Sequence, residues 1–250
     1  TGWTHGFADK KPRFEIDDSG SALTSIVTRP PSGDDMAGTL QQMAREQRRK
    51  KGIGDPKQAP SDNTMLNSLP LSQSLIHKDL YNNYPHMKDM FASVSQDKGR
   101  NAFIPNTYYR FGEENPQILA NAGADTKQAL LHELDHAVQN KEGFAGGGSP
   151  ERFIDKDIEN KYARKAYNAD RYINLLTDPK SIGGSWDGLP FENKLKYLNE
   201  ARFKAYHNLA GEASSRLTEK RMNMTAAERA KSYPPDMFDV PVEDQIVKYK

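Results

Sequence analysis

The chain has 250 residues, 36% hydrophobic and 28% charged, enough for one domain with a core and an additional arm. Its net charge of +1 supplies no global field to draw nucleic acid or an anionic membrane, and no apolar run is long enough to span a bilayer. The absence of cysteine excludes disulfides and thiolate metal ligands. The first residues show no basic start followed by an apolar stretch, so no signal peptide is visible. A first residue of Thr1 rather than Met leads us to expect a processed product or a segment of a larger polypeptide.

In chain order, Arg13–Ile16 alternates and reads as a short strand, followed by a turn over 17–20. Residues 29–63 are rich in Pro, Gly, Ser, Asp and charge, which predicts extended, mobile chain with one helix around Gly38–Lys50. The chain thus divides into an N-terminal arm over 1–62, holding a short strand and a mobile charged linker, and a domain over 63–250. The basic run Ala44–Lys51 is read as a solvated helix end, where cations meet the negative pole of the macrodipole, ahead of a phosphate contact or a protease-sensitive site. Leu71–Met90 carries apolar positions at helical spacing and predicts one or two short helices, with His77 and His86 in packing and hydrogen-bonding roles.

Ala102–Pro105 and Tyr108–Phe111 read as strands around a turn, and Gln117–Ala120 as another. A helix follows between Asp125, read as N-cap with Gln128 completing a capping box, and the stop at Gly143 and Gly146–Gly148. The glycine run reads as a lid or a flexible connection. Two longer helices are predicted over Asp157–Leu176 and Phe191–Met222, the second entered from Pro190. Thr225 and Glu228 form the capping box of a short last helix that Pro234–Pro235 ends, and Gln245–Tyr249 reads as a returning strand. The fold class is α+β, mainly helical, with a small mixed or antiparallel sheet beside the 125–143 helix.

That helix carries the most informative pattern in the chain, His132-Glu133-x-x-His136. Residues four apart share a helix face, so both imidazoles can reach one zinc ion. Glu133 stands where its carboxylate can hold and deprotonate a water activated by the metal, the arrangement of a zinc-dependent peptidase. With six histidines in the chain, two at this spacing around a glutamate outweigh the reading of a core helix with hydrogen-bonded histidines. Asp135 points sideways from the ligand face and is given a structural role.

A catalytic zinc takes three protein ligands and keeps one open position. A continuation with glycine at 139 and histidine at 142 is absent, since those positions hold Gln139 and Glu142. Glu212, flanked by small residues in Leu209–Arg216, is the best candidate third ligand. Its competing reading is an i,i+4 ion pair with Arg216, and His207 is a competing ligand. Candidates for the donor that stabilises a tetrahedral oxyanion are His207, Tyr206 and Arg216. A carboxylate or carbonyl is expected on the other nitrogen of each ligand histidine.

Taken together, these segments resemble the zincin-like metallopeptidase domains of large polyvalent proteins from phages and other mobile elements. Ile76–Tyr81 followed by Tyr84-Pro85 resembles the group's H-P-E-L-F…Y-P segment, with Lys78 where proline is usual. Thr126–Gln139 resembles its T-L-L-H-E-x-x-H-A-x-Q helix, and Glu142–Pro150 its E-G-F-A-x-G-G-S-P loop. Leu209–Arg216 resembles L-A-G-E-x-x-x-R, Asp239–Pro241 with Glu243–Val247 resembles its C-terminal tail, and Thr1–Trp3 with Arg13–Asp18 a leader that accompanies such domains. Only the stretch from about Gly33 to Ser61 has no counterpart.

The resemblance implies a zincin fold, one Zn²⁺ and Glu212 as third ligand beside His132 and His136. It also implies an edge strand near the motif helix that receives substrate backbone by strand addition, expected at Gln117–Ala120 or, failing that, Tyr108–Phe111. The expected function is hydrolysis of peptide bonds with Glu133 as general base. The partners are a protein or peptide substrate, other virion proteins or the parent polypeptide, in a phage virion or bacterial host cytoplasm. The alternative is a non-catalytic virion or interaction module that keeps the zinc for stability. Nucleic-acid binding through the basic run is the weakest expectation.

Overall fold

The structure is a computed structural model and describes residues 3–5, 12–28, 68–95, 101–108, 114–149, 156–177 and 184–247. The charged linker, the helix expected around Gly38–Lys50 and the basic run Ala44–Lys51 lie outside these residues.

The chain opens with an antiparallel pair, β1 (Trp3–His5) and β2 (Pro12–Phe14). Next come β3 (Ala22–Leu23) and the single turn α1 (Ser25–Thr28). Then follow β4 (Ser68–Pro70), α2 (Leu71–Ser74), β5 (Leu75–Ile76) and α3 (Lys78–Asn83), with a 3-10 turn over Pro85–Asp89. β6 (Phe91–Ser95), β7 (Ala102–Tyr108) and β8 (Glu114–Asn121) complete a four-stranded mixed sheet of order β4-β6-β8-β7. β6 and β8 run parallel, and the other two pairings are antiparallel.

This order corrects the edge expectation. Gln117–Ala120 lies within β8, between β6 and β7, so its backbone groups are committed to two neighbours. The edge beside the motif helix is β7, which extends through the turn expected after Pro105 with an irregular register between Ile104 and Thr107. Of the expected strand Tyr108–Phe111, Tyr108 ends β7 and the remainder lies outside the described residues.

The motif helix is α4 (Thr126–Glu142). Its start is not the expected capping box, because Asp125 makes no side-chain cap. The Thr126 hydroxyl instead ties down the loop that enters the helix, accepting the Gly123 N–H at 2.7 Å and meeting the Asn121 carbonyl at 3.0 Å. The helix ends where Gly143 turns left-handed at φ 67°, a conformation that costs a residue with a Cβ. Leu130, Leu131, Leu134 and Ala137 bury the apolar side of α4 against Ile118 and Ala120 of β8, Ala92 of β6, and Leu71, Leu75, Leu80 and Met87. Each fully buried leucine of this kind stabilises the fold by about 1.5–3 kcal/mol.

Beyond the glycine-rich loop, α5 (Lys156–Thr177) and α6 (Phe191–His207) form a hairpin around Tyr167, Trp186 and Tyr197. The single helix expected over Phe191–Met222 is in fact two, α6 and α7 (Ala210–Arg221), separated at Asn208-Leu209. The C-terminal segment causes the break. Ile246 donates to the Asn208 carbonyl at 2.7 Å and accepts from the Ala210 N–H at 2.9 Å, while the buried Asn208 amide donates to Tyr162 and the Asp244 carbonyl. The returning strand expected over Gln245–Tyr249 is reduced to one bridge, Leu209 to Ile246. α8 (Ala226–Lys231) has the predicted Thr225–Glu228 capping box.

The described part of the arm is joined to the rest. β3 pairs with β5, Asp18 meets His77 at 2.7 Å, and Glu15 is held by Arg229 and, with both carboxylate oxygens, by the buried Arg221. No helix among the described residues is long and apolar enough to cross a membrane. The fold is mainly helical α+β.

Candidate metal centre

One helical turn places His132 and His136 together on α4, their rings 5.0 Å apart and nearly perpendicular. Both present Nε2 to the Glu212 carboxylate: His132 to Oε2 at 3.4 Å and His136 to Oε1 at 3.3 Å. These separations exceed the roughly 2.7–2.9 Å of a charge-assisted hydrogen bond. They match the roughly 3.3 Å between donors on a tetrahedral ion with bonds of about 2.0–2.1 Å. Glu212 Oε2 is fully buried and has no hydrogen-bond partner, a costly condition that a bound cation removes. Among the described residues His132, His136 and Glu212 form the one group able to hold a metal ion, and two imidazoles with a carboxylate are compatible with zinc.

Glu212 reaches this point because the chain breaks at Asn208-Leu209 and restarts. It sits in the first turn of α7, where a carboxylate complements the helix dipole. Gly211 lies so close to the backbone of Gly146 and Gly147 that a Cβ there would collide with main chain. A Cβ on Gly147 would strike Glu212 and His136. The Gly148 N–H donates to Glu212 Oε1 at 2.8 Å. The glycine run is therefore neither a free connection nor an open lid. It is a strap whose bare backbone fits against two of the three candidate ligands.

A further layer of side chains fixes the imidazoles. His132 Nδ1 is in a short hydrogen bond with Glu219, whose other oxygen accepts from Gln128 Nε2 at 2.6 Å. His136 Nδ1 meets Gln139 Oε1 at 3.0 Å. The Gln139 amide donates to Asp135 at 2.6 Å and to the Gly211 carbonyl at 2.9 Å, and Ser215 donates to Asp135 at 3.0 Å. Asp135 thus has the structural role expected of it. Sequence reasoning called for such partners without identifying Glu219 or Gln139. The signal was present: Glu219 is seven residues, close to two turns, beyond Glu212, and Gln139 is three beyond His136.

The electrostatics follow from this crowding. Burial works against charge on His132, but Glu212, Glu219 and Glu133 outweigh it and lift the ring to about 10. His136 is also raised, burial again being outweighed by Glu212. Glu212 moves well below the usual carboxylate range because the two rings overcome its burial. Glu133 is buried and pushed upward by desolvation, with the rings and the Phe103 backbone amide of β7 opposing that shift. A carboxylate raised in this way is a better proton acceptor near neutral pH.

Tyr206 is half-buried, and its phenol is pushed up by burial and by the charges of Glu212 and Glu133, so it remains a hydroxyl donor across the physiological range. His207 is not brought to the site. Its half-exposed ring faces Asp239 at 3.4 Å, because one residue beyond Tyr206 on α6 points elsewhere, and this corrects its assignment as ligand or oxyanion donor. Arg216 pairs with Asp239 at 2.6 and 3.1 Å and donates to the His207 carbonyl. The alternative Glu212–Arg216 ion pair is accordingly not formed. His77 caps α3 by accepting the Leu80 N–H, and His86 is exposed on the 3-10 turn. No protein-family model, curated protein or solved structure matches this chain.

Proposed function

We propose that the chain is a zinc-dependent metallopeptidase of the zincin-like kind, with His132, His136 and Glu212 as ligands. The observation that carries this reading is the buried Glu212 carboxylate, its Oε2 orphaned and facing His132 Nε2 and its Oε1 facing His136 Nε2, both at the donor spacing of a tetrahedral ion and beside the buried Glu133. When bound, the metal supplies Lewis acidity and lowers the pKa of a water to about 7. Glu133 accepts the proton of the attacking water on its carboxylate and delivers it to the leaving amine. Tyr206, kept protonated, donates its O–H to the oxygen of the scissile carbonyl as charge develops there. β7 offers the backbone groups of a sheet edge beside α4 to an extended peptide. Glu219 and Gln139 hold the two rings in the tautomer that directs Nε2 inward. The resemblance to the phage and mobile-element group supports the same assignment and makes virion proteins or a parent polypeptide the first substrates to try.

The test is cleavage of a mixed peptide library by the zinc-loaded protein and by Glu133→Gln. Loss of about 10²–10⁴-fold in rate with zinc content unchanged is expected. Equal cleavage by both, or none by either, sinks the enzymatic reading and leaves the non-catalytic module.

A further inference from the structure

The face of α4 turned roughly 130° from the metal ligands borders a cavity of about 130 Å³. Leu131, Leu134 and Val138 of α4, Leu80 of α3, Leu217 of α7 and Phe238 supply its apolar wall. That volume is close to the roughly 150 Å³ of apolar cavities that admit a single benzene ring. The polar part of the lining is unbalanced. Arg221 and Arg229 also border the cavity, but their guanidinium groups are taken up by Glu15, Asp17, Ser232 and backbone carbonyls. Asp18 and Asp135 are different. Asp18 is buried and uses Oδ1 for His77, and Asp135 uses Oδ2 for Gln139 and Ser215. The second oxygen of each has no donor among the described residues. The site therefore has spare acceptors and negative charge next to a ring-sized apolar space, while its donors are consumed. Burial raises Asp18, His77 and Arg229 oppose that shift, and Asp135 adds to it.

We infer that this cavity is a second binding site, separate from the metal centre, for a small organic cation: an ammonium group on an apolar body about the size of one aromatic ring. The ammonium supplies the donors that Asp18 and Asp135 lack, and the ring fills the leucine-lined space. The site is also wired to the metal centre. Asp135 holds the Gln139 amide, and Gln139 holds His136 Nδ1, so a cation drawing on Asp135 perturbs the ring that directs Nε2 to Glu212. This coupling rests on the metal-centre reading, and the binding site does not.

The test uses the full chain and methyl NMR with three probes of one shape: 2-phenylethylamine, 2-phenylethanol and 3-phenylpropionate. Saturable shifts of the Leu134, Val138 and Leu217 methyls are expected with the amine, at least tenfold tighter than with the alcohol and absent with the carboxylate. Leu217→Trp, which fills the space, abolishes the shifts of Leu134 and Val138 while preserving the melting temperature. Asp18→Asn reduces the preference for amine over alcohol. No saturable shift, equal affinity for amine and alcohol, or binding that survives Leu217→Trp overturns the site. The zinc dissociation constant, measured with and without saturating amine, is expected to change at least threefold. An unchanged constant with intact amine binding overturns the coupling alone, and failure of zinc to bind in either condition counts against the metal centre rather than the cavity.

Discussion

The α4–α7 pair and the α5–α6 hairpin use polar groups in opposite ways. In the first, Gln139 and Ser215 are buried and hydrogen-bonded through His136 and Asp135, beside the buried carboxylates of Glu133 and Glu212. In the second, the buried contacts are mainly aromatic, Tyr167 with Trp186 and Tyr197; the buried Glu159 is satisfied by Arg202 at 2.6 Å, and ion pairs such as Arg164–Asp187 and Lys196–Asp170 lie largely in solvent. Exposed pairs contribute about 0–1 kcal/mol, whereas buried charges demand compensation. The hairpin therefore reads as scaffold. The α4–α7 pair keeps one buried Glu212 oxygen that no hydrogen bond satisfies.

Substitutions can break this contrast. The largest effect is expected for Glu212→Ala, which removes the carboxylate of the proposed ligand set and leaves two partly buried rings opposite a void. Stoichiometric zinc, measured by metal analysis after dialysis, is lost, and with it the rise in melting temperature that zinc gives the parent. Next is Glu219→Gln, which keeps shape but removes the charge on His132 Nδ1. A 10–100-fold weaker zinc affinity is expected by competition with a chelating dye, with the fold intact by circular dichroism. At the small end, Arg164→Ala on the hairpin should shift stability by less than about 1 kcal/mol in urea unfolding. A larger loss there would show that the hairpin's ion pairs matter and would blur the contrast.

A pH experiment sharpens it. In the metal-free chain His132 is raised to about 10, so its ring carries a proton at neutral pH that a metal ligand must shed, and His136 is shifted in the same direction. Zinc uptake at pH 7 should release at least one proton, measured by calorimetry in buffers of differing ionisation enthalpy. Zinc affinity should rise with pH and level off above about 10. The raised His132 also stabilises the metal-free fold. That contribution is fully present below the ordinary histidine value of 6.5 and is lost as pH rises through about 10. Release of no protons would mean the rings are neutral before metal arrives.

The motif helix was legible because its information is local: His132, Glu133 and His136 share a face, and Gly143 stops the helix. The α6–α7 break was not, because its cause is Ile246, some forty residues beyond Tyr206, pairing with Asn208 and Ala210. The same distance effect hid the sheet order. Phe91–Ser95 is short and rich in small residues, and nothing in Gln117–Ala120 announces that it is flanked on both sides. Sequence alone left Glu212 balanced between ligand and Arg216 partner. Asp239, supplied from the C-terminal segment, removes the second reading by taking Arg216 away. His207 was misjudged for a related reason, since proximity in sequence to Glu212 places its ring beside Asp239 instead.

The central claim is tested most directly by diffraction from zinc-soaked crystals at the zinc absorption edge. A single anomalous peak about 2.0–2.2 Å from His132 Nε2, His136 Nε2 and a Glu212 oxygen is expected. Rings that face apart, or a peak that excludes Glu212, would contradict it.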